Sequence, residues 1–234
     1  VLDHAEDAIG NVDAVIIATD IGREHVTRCR PFVEAGIPVF VDKPLVDRIE
    51  DLAIFTKWIA EGKPILSGSC MAYAKEFAPY RESTHELGAL RFASTTTHKS
   101  WERYGIHALS AVFPIFGPGF ISARNTGTTE RNIVHLKHQN GADIVVAAVH
   151  DMNGGFGALQ LCGTAGCAQV MFRDTFYAFK AQLAEFVNYV QSGKPAFPFA
   201  HTEELMQMLI AGIWSREQNG REVLLDEIAR AMRP

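Results

Sequence analysis

The sequence is poor in cysteine and has no cysteine pair with redox or metal-ligand spacing. Its four cysteines are Cys29, Cys70, Cys162 and Cys167, and no two of them form a C-x-x-C motif. This spacing gives no indication of a zinc site. We expect buried free thiols in a reducing cytoplasm, where disulfides are rare. The alternative is that Cys162 and Cys167, which flank a glycine-containing turn, approach each other.

The chain also lacks an excess of basic charge and a long apolar run. Lysine and arginine number 22 against 27 acidic residues, and the formal net charge of −5 argues against a nucleic-acid groove. No apolar stretch approaches the roughly 20 residues that span a bilayer, and no secretory signal is visible. With 47% hydrophobic and 21% charged residues over 234 positions, the composition predicts a globular cytoplasmic protein of one large domain or two small ones.

The first third of the chain alternates buried strands with amphipathic helices. Three segments have the apolar composition of buried parallel strands: residues 12–20, 37–44 and 64–73. Two segments between them have helical periodicity and end in glycine: residues 23–35, before Gly36, and residues 47–62. Strands that alternate with helices of this length predict a parallel sheet with right-handed crossovers.

A different pattern begins after residue 75. Six more strands are predicted over residues 88–98, 121–128, 132–139, 143–151, 156–162 and 168–172. Three helices are predicted over residues 104–116, 176–192 and 202–219, and Asn140-Gly141 indicates a hairpin. The whole predicts an α/β fold in which part of a Rossmann-type parallel sheet precedes a mostly antiparallel sheet with helices on one face. We place the two domains at residues 1–75 and 76–234.

A glycine-rich phosphate loop is missing from this pattern. Buried strands that end near Asp20 and in Asp42-Lys43-Pro44 are typical of the later part of a dinucleotide-binding fold, whose first strand carries G-x-G-x-x-G. The run Gly154-Gly155-Phe156-Gly157 has Gln160 in place of the third glycine and predicts a turn. We therefore expect the chain to lack two β-α-β units, roughly 60–70 residues at about 30 per unit. Such a chain should bind cofactor poorly and expose a strand edge.

Short motifs stand in a recognisable order along the chain. They are residues 13–19, His25, Ala35-Gly36 followed by Val41-Asp42-Lys43-Pro44, Gly105-Ile106-His107, Gly163-Thr164-Ala165-Gly166, and the closing segments 179–193, 202–204 and 215–223. Each motif is weak alone. Their order and spacing together resemble the Gfo/Idh/MocA oxidoreductases, the family named for glucose–fructose oxidoreductase and inositol dehydrogenase, over nearly the whole chain.

The resemblance implies an enzyme that transfers a hydride between NAD or NADP and a carbinol carbon of a sugar- or cyclitol-like substrate. It implies that His107 is the general base and that Lys43 binds the substrate hydroxyl and stabilises negative charge. The implied cofactor-binding residues are Thr19, Asp20, His25, Asp42, Lys43 and Pro44, and the implied substrate-binding residues are Lys43, Arg103, Tyr104 and His107. It also implies a homodimer or higher homo-oligomer, with no nucleic-acid or membrane partner.

Several of these residues have a simpler interpretation. Lys43 is alternatively a solvated lysine after a strand, and His107 a core histidine in a buried helix. Tyr104 is alternatively a packing residue, and Asp20 a helix cap or a turn residue. His135 and His138 lie three positions apart on a predicted strand, so they face opposite sides and are not expected to share a metal ion.

Arg103 departs from the family pattern, because relatives usually have an aspartate four residues before the histidine that corresponds to His107. The reversed charge predicts either an acidic or otherwise unusual substrate, or an altered activity. The second hypothesis for this chain is therefore a non-catalytic oligomerisation or ligand-binding module derived from the same fold.

Overall fold

The computed structural model describes residues 2–232, which form two β-sheets with helices packed against them. The strands are β1 (Val15–Ile17), β2 (Val39–Asp42), β3 (Ile65–Gly68), β4 (Leu90–His98), β5 (Phe120–Asn125), β6 (Arg131–His138), β7 (Asp143–Val149), β8 (Ala158–Gly163), β9 (Cys167–Met171) and β10 (Val223–Leu224). The helices are α1 (His25–Glu34), α2 (Ile49–Ala60), α3 (Ala78–Glu82), α4 (Ile106–Phe116), α5 (Thr175–Ser192), α6 (Phe199–Glu217) and α7 (Leu225–Ala231).

The first sheet contains β1, β2 and β3 in sequence order, and both strand pairs are parallel, as predicted. Ile17 lies opposite Val41, which lies opposite Ser67, so the carboxyl ends of the three strands meet at one edge. The helices α1 and α2 bury their apolar faces, and Gly36 and Gly62 after them have φ of 73° and 77°. These left-handed conformations suit glycine and end both helices where the sequence predicts.

The predicted strand over residues 64–73 is wrong in its second half. β3 ends at Gly68, and Cys70–Tyr73 form a 3-10 helix. Ser69 precedes this turn, and its side chain accepts a hydrogen bond from the backbone N–H of Met71 at 3.2 Å. A serine that caps a turn in this way offers the backbone an alternative to the strand ladder.

The second sheet has seven strands in the order β10-β5-β6-β7-β4-β8-β9. Its neighbouring strands are antiparallel except for β4 and β7, which are parallel. The predicted hairpin at Asn140-Gly141 joins β6 to β7, and Gly141 has φ of 85°. The mixed α/β fold with one parallel and one mostly antiparallel sheet is therefore confirmed.

The helices α5 and α6 follow the sheets and close the core. α5 ends before Gly193, which has φ of 69°, and α6 begins at Phe199, three residues before the predicted start. Leu209 of α6 is fully buried in a core that also contains Val41 and Val146 from the two sheets. The elements α3, β10 and α7 were not predicted, and the domain boundary at residue 75 stays a prediction. Within residues 2–232, the structure has no helix with the length and apolar character needed to cross a membrane.

The predicted helix over residues 104–116 begins earlier, as a π-helical turn at Trp101–Gly105, and continues as α4 through Pro114. Trp101 is fully buried, and its indole N–H donates a hydrogen bond to the carbonyl of Leu209 at 2.9 Å. A Cβ at Gly105, or at Gly212 in α6, would lie 2.6 Å from an atom of the Trp101 ring. The two glycines make room for the ring, which anchors this turn to α6.

The four cysteines are free, as predicted, but they are not all buried. Cys29 and Cys70 are buried, whereas Cys162 is half-buried and Cys167 is exposed. Cys162 lies directly opposite Cys167 across the β8–β9 hairpin, which is the approach that the glycine-containing turn suggests. Burial raises the pKa of the Cys29 and Cys70 thiols to about 12 in each case.

We expect the native protein to have two slowly reacting and two rapidly reacting thiols, because thiolate is the reactive form and burial suppresses it at Cys29 and Cys70. Titration with a chromogenic aromatic disulfide should give a rapid phase from Cys162 and Cys167, and urea should release the other two thiols. The C162S/C167S double variant should lose the rapid phase only. Four rapid thiols in the native wild-type protein would contradict the burial described above.

Candidate active site

The carboxyl edge of the parallel sheet gathers charged side chains at the ends of β1 and β2. Open α/β sheets bind their ligands at this edge. Lys43 follows β2 and is only 6% exposed, with its Nζ 3.9 Å from the Asp42 carboxylate. Burial raises the pKa of Asp42, and the positive charge of Lys43 opposes this shift. Lys43 is therefore not the solvated lysine of the simpler interpretation.

His25 joins the segments that follow β1 and β2. The side chain is fully buried, and its Nδ1 lies 2.9 Å from the carbonyl oxygen of Leu45. Its Nε2 lies 2.9 Å from the Thr19 carbonyl oxygen and 3.0 Å from Thr19 Oγ1. Both ring nitrogens are thus engaged by the protein, so His25 positions the two strand ends. A direct contact of His25 with a cofactor stays a prediction.

Tyr104 brings Lys43 and His107 together. The Lys43 ammonium lies 4.7 Å from the centroid of the Tyr104 ring, in cation–π geometry. The ring centroids of Tyr104 and His107 are 4.9 Å apart, with the two rings edge to face. The two predicted catalytic side chains therefore both contact one tyrosine, although they are far apart in sequence. Lys43 follows β2 of the first sheet, and His107 lies in α4, after β4 of the second sheet.

Ser69 orients the imidazole of His107. Ser69 Oγ lies 2.8 Å from His107 Nδ1, and both residues are buried. Among residues 2–232, the side chain of His107 forms a hydrogen bond through Nδ1 only. When Nδ1 carries the ring proton and donates a hydrogen bond to Ser69 Oγ, the lone pair of Nε2 is available to a substrate. Ser69 is thus a positioning residue, a role that was not predicted from the sequence.

The surroundings of His107 favour its neutral form. The pKa of His107 is held well below 6.5, first by burial and then by the positive charges of Lys43, His98 and Lys99. A buried imidazole near cations loses its proton readily because desolvation and like charge both disfavour the charged form. His107 is therefore neutral at pH 7, which is the state that a proton acceptor requires.

Phe156 covers His107 from the loop that precedes β8. Phe156 packs edge to face on His107 with centroids 5.2 Å apart, and stacks on His98 at 5.0 Å. The loop that carries Phe156 is tied to β4, because Thr96 donates a hydrogen bond to the Gly155 carbonyl and accepts one from Gly157 N–H. The Gly154–Gly157 run is a turn, as predicted, but it also delivers an aromatic ring to the site.

Arg103 and Asp20 lie at the rim of this site and face each other. A nitrogen of the Arg103 guanidinium is 3.9 Å from the Asp20 carboxylate, and both side chains are partly exposed. The alternative in which Asp20 caps a helix is not observed, since the following 3-10 turn at Gly22–Glu24 has no side-chain cap. The two residues therefore connect the end of β1 to the π-helical turn.

Three further residues of this site were missed in the sequence: Ser69, His98 and Lys99. A capping serine after an apolar strand was the available signal for Ser69. His98 ends the long predicted strand that became β4 and Lys99 follows it, and no local pattern distinguishes the two from surface residues. Among residues 2–232, no three histidine, cysteine or acidic side chains are grouped as a metal site would require.

The chain resembles known proteins in its fold rather than in its sequence. No protein-family model and no curated protein sequence matches it. The structure of myo-inositol 2-dehydrogenase from Lactobacillus plantarum superposes with a TM-score of 0.82 at 17% identity, covering 95% of this chain and 84% of that one. Apo scyllo-inositol dehydrogenase from Lactobacillus casei gives 0.82 at 14% identity, with 96% and 83% covered.

A third neighbour is GenD2 from gentamicin A biosynthesis, whose structure is in complex with NAD. Its TM-score is 0.79 at 16% identity, and the match covers 95% of this chain and 82% of that one. These structural neighbours are inositol dehydrogenases and related Gfo/Idh/MocA oxidoreductases. The chain has the Gfo/Idh/MocA dehydrogenase fold, which confirms at the level of structure the resemblance seen in its motifs.

Proposed function

We propose that this chain carries the reaction centre of a nicotinamide-dependent oxidoreductase that transfers a hydride to or from a carbinol carbon of a sugar- or cyclitol-like polyol. One observation carries the proposal: Lys43 and neutral His107 meet around Tyr104 at the carboxyl edge of a parallel sheet. The fold is that of polyol dehydrogenases, which supports the same class of reaction.

The proposed roles follow from the charge that develops on the substrate oxygen. Oxidation of an alcohol requires loss of the hydroxyl proton, and His107 Nε2 accepts it while Ser69 holds Nδ1. Lys43 donates a hydrogen bond to the same oxygen and stabilises its negative charge. Because both side chains are almost completely buried, this interaction is stronger than it would be in water.

The strand ends suit a nicotinamide cofactor. The carboxylates of Asp20 and Asp42 are 35% and 21% exposed and offer hydrogen-bond acceptors for ribose hydroxyls. We assign Thr19, Asp20, Asp42, Lys43 and Pro44 to holding NAD or NADP, which supplies the hydride acceptor or donor when bound. The structure of GenD2 in complex with NAD, which has the same fold, supports a nicotinamide cofactor.

Fluorescence titration with NADH, on a sample whose intact mass is confirmed as 25.8 kDa, tests the cofactor assignment. Weak but saturable binding is the expected result, because the strand ends offer part of a cofactor site while the sequence lacks the glycine-rich phosphate loop, and polyol-dependent reduction of NAD should follow. Failure to bind NADH would contradict the proposal and favour the non-catalytic ligand-binding module. The observation that favours this second candidate is the burial of Lys43 and His107, both of which pack against aromatic rings.

We expect the rate of polyol oxidation to stay constant as the pH falls to about 6.5 and to decrease only well below it. The neutral imidazole is the active form, and its pKa is lowered by burial and by Lys43, His98 and Lys99. Protonation therefore removes the base only at acidic pH. A profile of kcat/KM between about pH 5 and pH 9 measures this.

The matched control for the pH profile is H135Q, which removes an imidazole from the outer face of the antiparallel sheet, where His135 contacts Asp143. This variant should leave the profile unchanged. An acid limb centred above pH 6.5 in the wild-type protein would contradict the assignment of His107 as the base.

The proposal includes association of two copies through the outer face of the seven-stranded sheet. Ile133 on β6 and Met171 on β9 are 41% and 38% exposed, and both lie on the face that the helices leave uncovered. Exposed apolar side chains on one sheet face are typical of protein interfaces. Light scattering should give twice the mass of the chain; a monomer mass at micromolar concentration would contradict this part of the proposal.

A further inference from the structure

Lys99 is a cation at the rim of the candidate active site. It follows β4, is exposed, and donates a hydrogen bond from Nζ to the Tyr104 hydroxyl oxygen at 2.6 Å. Its Nζ also lies 4.2 Å from the centroid of the same ring that Lys43 approaches at 4.7 Å. Two ammonium groups are thus gathered on one tyrosine, at the end of the site that solvent reaches.

The other cations of the site have acidic partners, and Lys99 does not. Lys43 lies 3.9 Å from Asp42, and Arg103 lies 3.9 Å from Asp20. In the part of the chain that the structure describes, Lys99 forms no salt bridge, and its polar contact is the neutral hydroxyl of Tyr104. Its charge is therefore available to an anion that enters from solvent.

The backbone holds Lys99 in an uncommon conformation. Its φ is 59°, in the left-handed region that residues with a Cβ rarely adopt. The preceding residue, His98, is fixed by parallel pairing with Val149 of β7. Unfavourable backbone conformations that the surrounding structure imposes are concentrated at functional sites. Here the conformation directs a long cationic side chain onto Tyr104.

We infer that Lys99, together with the Tyr104 hydroxyl, binds an anionic group, a carboxylate or a phosphate, carried by the polyol substrate. The polyol part of this inference rests on the proposed function. The positive field of Lys99 reaches the site, since Lys99 contributes to the lowered pKa of both His98 and His107. A ligand anion would balance that field and would be attracted by it.

This assignment differs from what the sequence suggests. The reversed charge at Arg103 predicts an acidic or otherwise unusual substrate or an altered activity, and the family resemblance implies that Arg103 contacts the substrate, whereas the structure places its guanidinium beside Asp20. Lys99 therefore supplies the uncompensated charge, and Arg103 connects two segments of the rim.

Three sugars that differ only at C6 provide the test: D-glucose, D-glucuronate and D-glucose 6-phosphate. Their affinities for the full chain are measured by calorimetry, with no cofactor and no turnover, in the wild-type protein and three variants. K99N removes the charge and retains a residue that tolerates positive φ, K99R retains a charge, and K57Q removes an exposed lysine elsewhere that pairs with Glu61. Thermal melting of each variant confirms that it is folded.

We expect the wild-type protein to bind at least one of the two anionic sugars about tenfold or more tightly than glucose, as one charge-assisted hydrogen bond allows. K99N should abolish that preference, while K99R and K57Q should retain it. The anionic sugar that is preferred identifies the group as carboxylate or phosphate. Equal affinities for the three sugars, no binding of any of them, or a preference that survives in K99N would each overturn the inference.

The binding measurements distinguish failure of this inference from failure of the proposed function. A lysine-dependent preference for anions without any hydride transfer would uphold the inference and refute the oxidoreductase proposal. Oxidation of neutral polyols by a wild-type protein that shows no preference for anionic sugars would refute the inference and leave the oxidoreductase proposal standing.

Discussion

Substitution of Lys43 by methionine is expected to lower kcat for polyol oxidation by about 10²–10³-fold, the usual cost of removing a group that stabilises charge in the transition state. Methionine retains the length of the lysine stem, which is almost completely buried, and so should preserve packing. The variant loses only the ammonium that contacts Tyr104 and pairs with Asp42. Steady-state measurement of NADH formation gives the result.

The same variant has a second, independent consequence. The positive charge of Lys43 is one of the causes that lower the pKa of His107, so its removal should raise that pKa. The acid limb of the residual activity should therefore move to higher pH in K43M, which simple misfolding would not produce. K43R should recover little activity, since a planar guanidinium is a poor substitute in a site fitted to an ammonium. Turnover of K43M at the wild-type rate would show that Lys43 is not catalytic.

Substitution of Trp101 by alanine is expected to lower the free energy of unfolding by about 3–5 kcal/mol, as for other large buried aromatic residues. Trp101 is fully buried, and its ring fills the space that Gly105 and Gly212 leave open. The variant also loses the hydrogen bond to the Leu209 carbonyl, which is then left without this donor. Urea unfolding followed by circular dichroism measures the loss.

Two further variants change the packing at Trp101 to different extents. W101F keeps an aromatic ring and should cost less than W101A, although it also removes the indole donor. G212A keeps Trp101 but introduces a Cβ that would lie 2.6 Å from the indole Nε1, and should cost about 1–3 kcal/mol by overpacking. A loss of less than about 1 kcal/mol in W101A would be far below the usual cost of a large cavity and would refute this account of the π-helical turn.

The ends of three helices in this protein are predictable from the sequence, because the backbone there takes a conformation that favours glycine. Gly36, Gly62 and Gly193 end helices at the predicted positions because each takes a positive φ that other residues adopt with difficulty. The segment after Gly68 is mispredicted because a serine cap competes with the strand, and composition alone does not reveal which of the two prevails.

The candidate site is less predictable, because its members are joined by tertiary contacts. Family resemblance identified Lys43 and His107, whereas Ser69 contacts His107 across 38 positions of sequence and Phe156 arrives from a loop that is predicted only as a turn. Lys99 carries no local signal, since nothing in the neighbouring sequence indicates that the residue after β4 has a positive φ. The charge at Arg103 predicts an acidic or otherwise unusual substrate or an altered activity, and this stays a prediction, whereas the anion contact proposed above is made by Lys99.

The aromatic cover of His107 bears on how a substrate would enter. Tyr104 and Phe156 both pack against the imidazole, which is only 3% exposed, so under the proposed function we expect these rings to move aside before a polyol hydroxyl group binds at Nε2. Gly154 and Gly157, with φ of 78° and 76°, flank Phe156, and Gly154 has open space around it. Association should then be a two-step process whose observed rate reaches a plateau as the polyol concentration increases, because opening rather than diffusion becomes limiting.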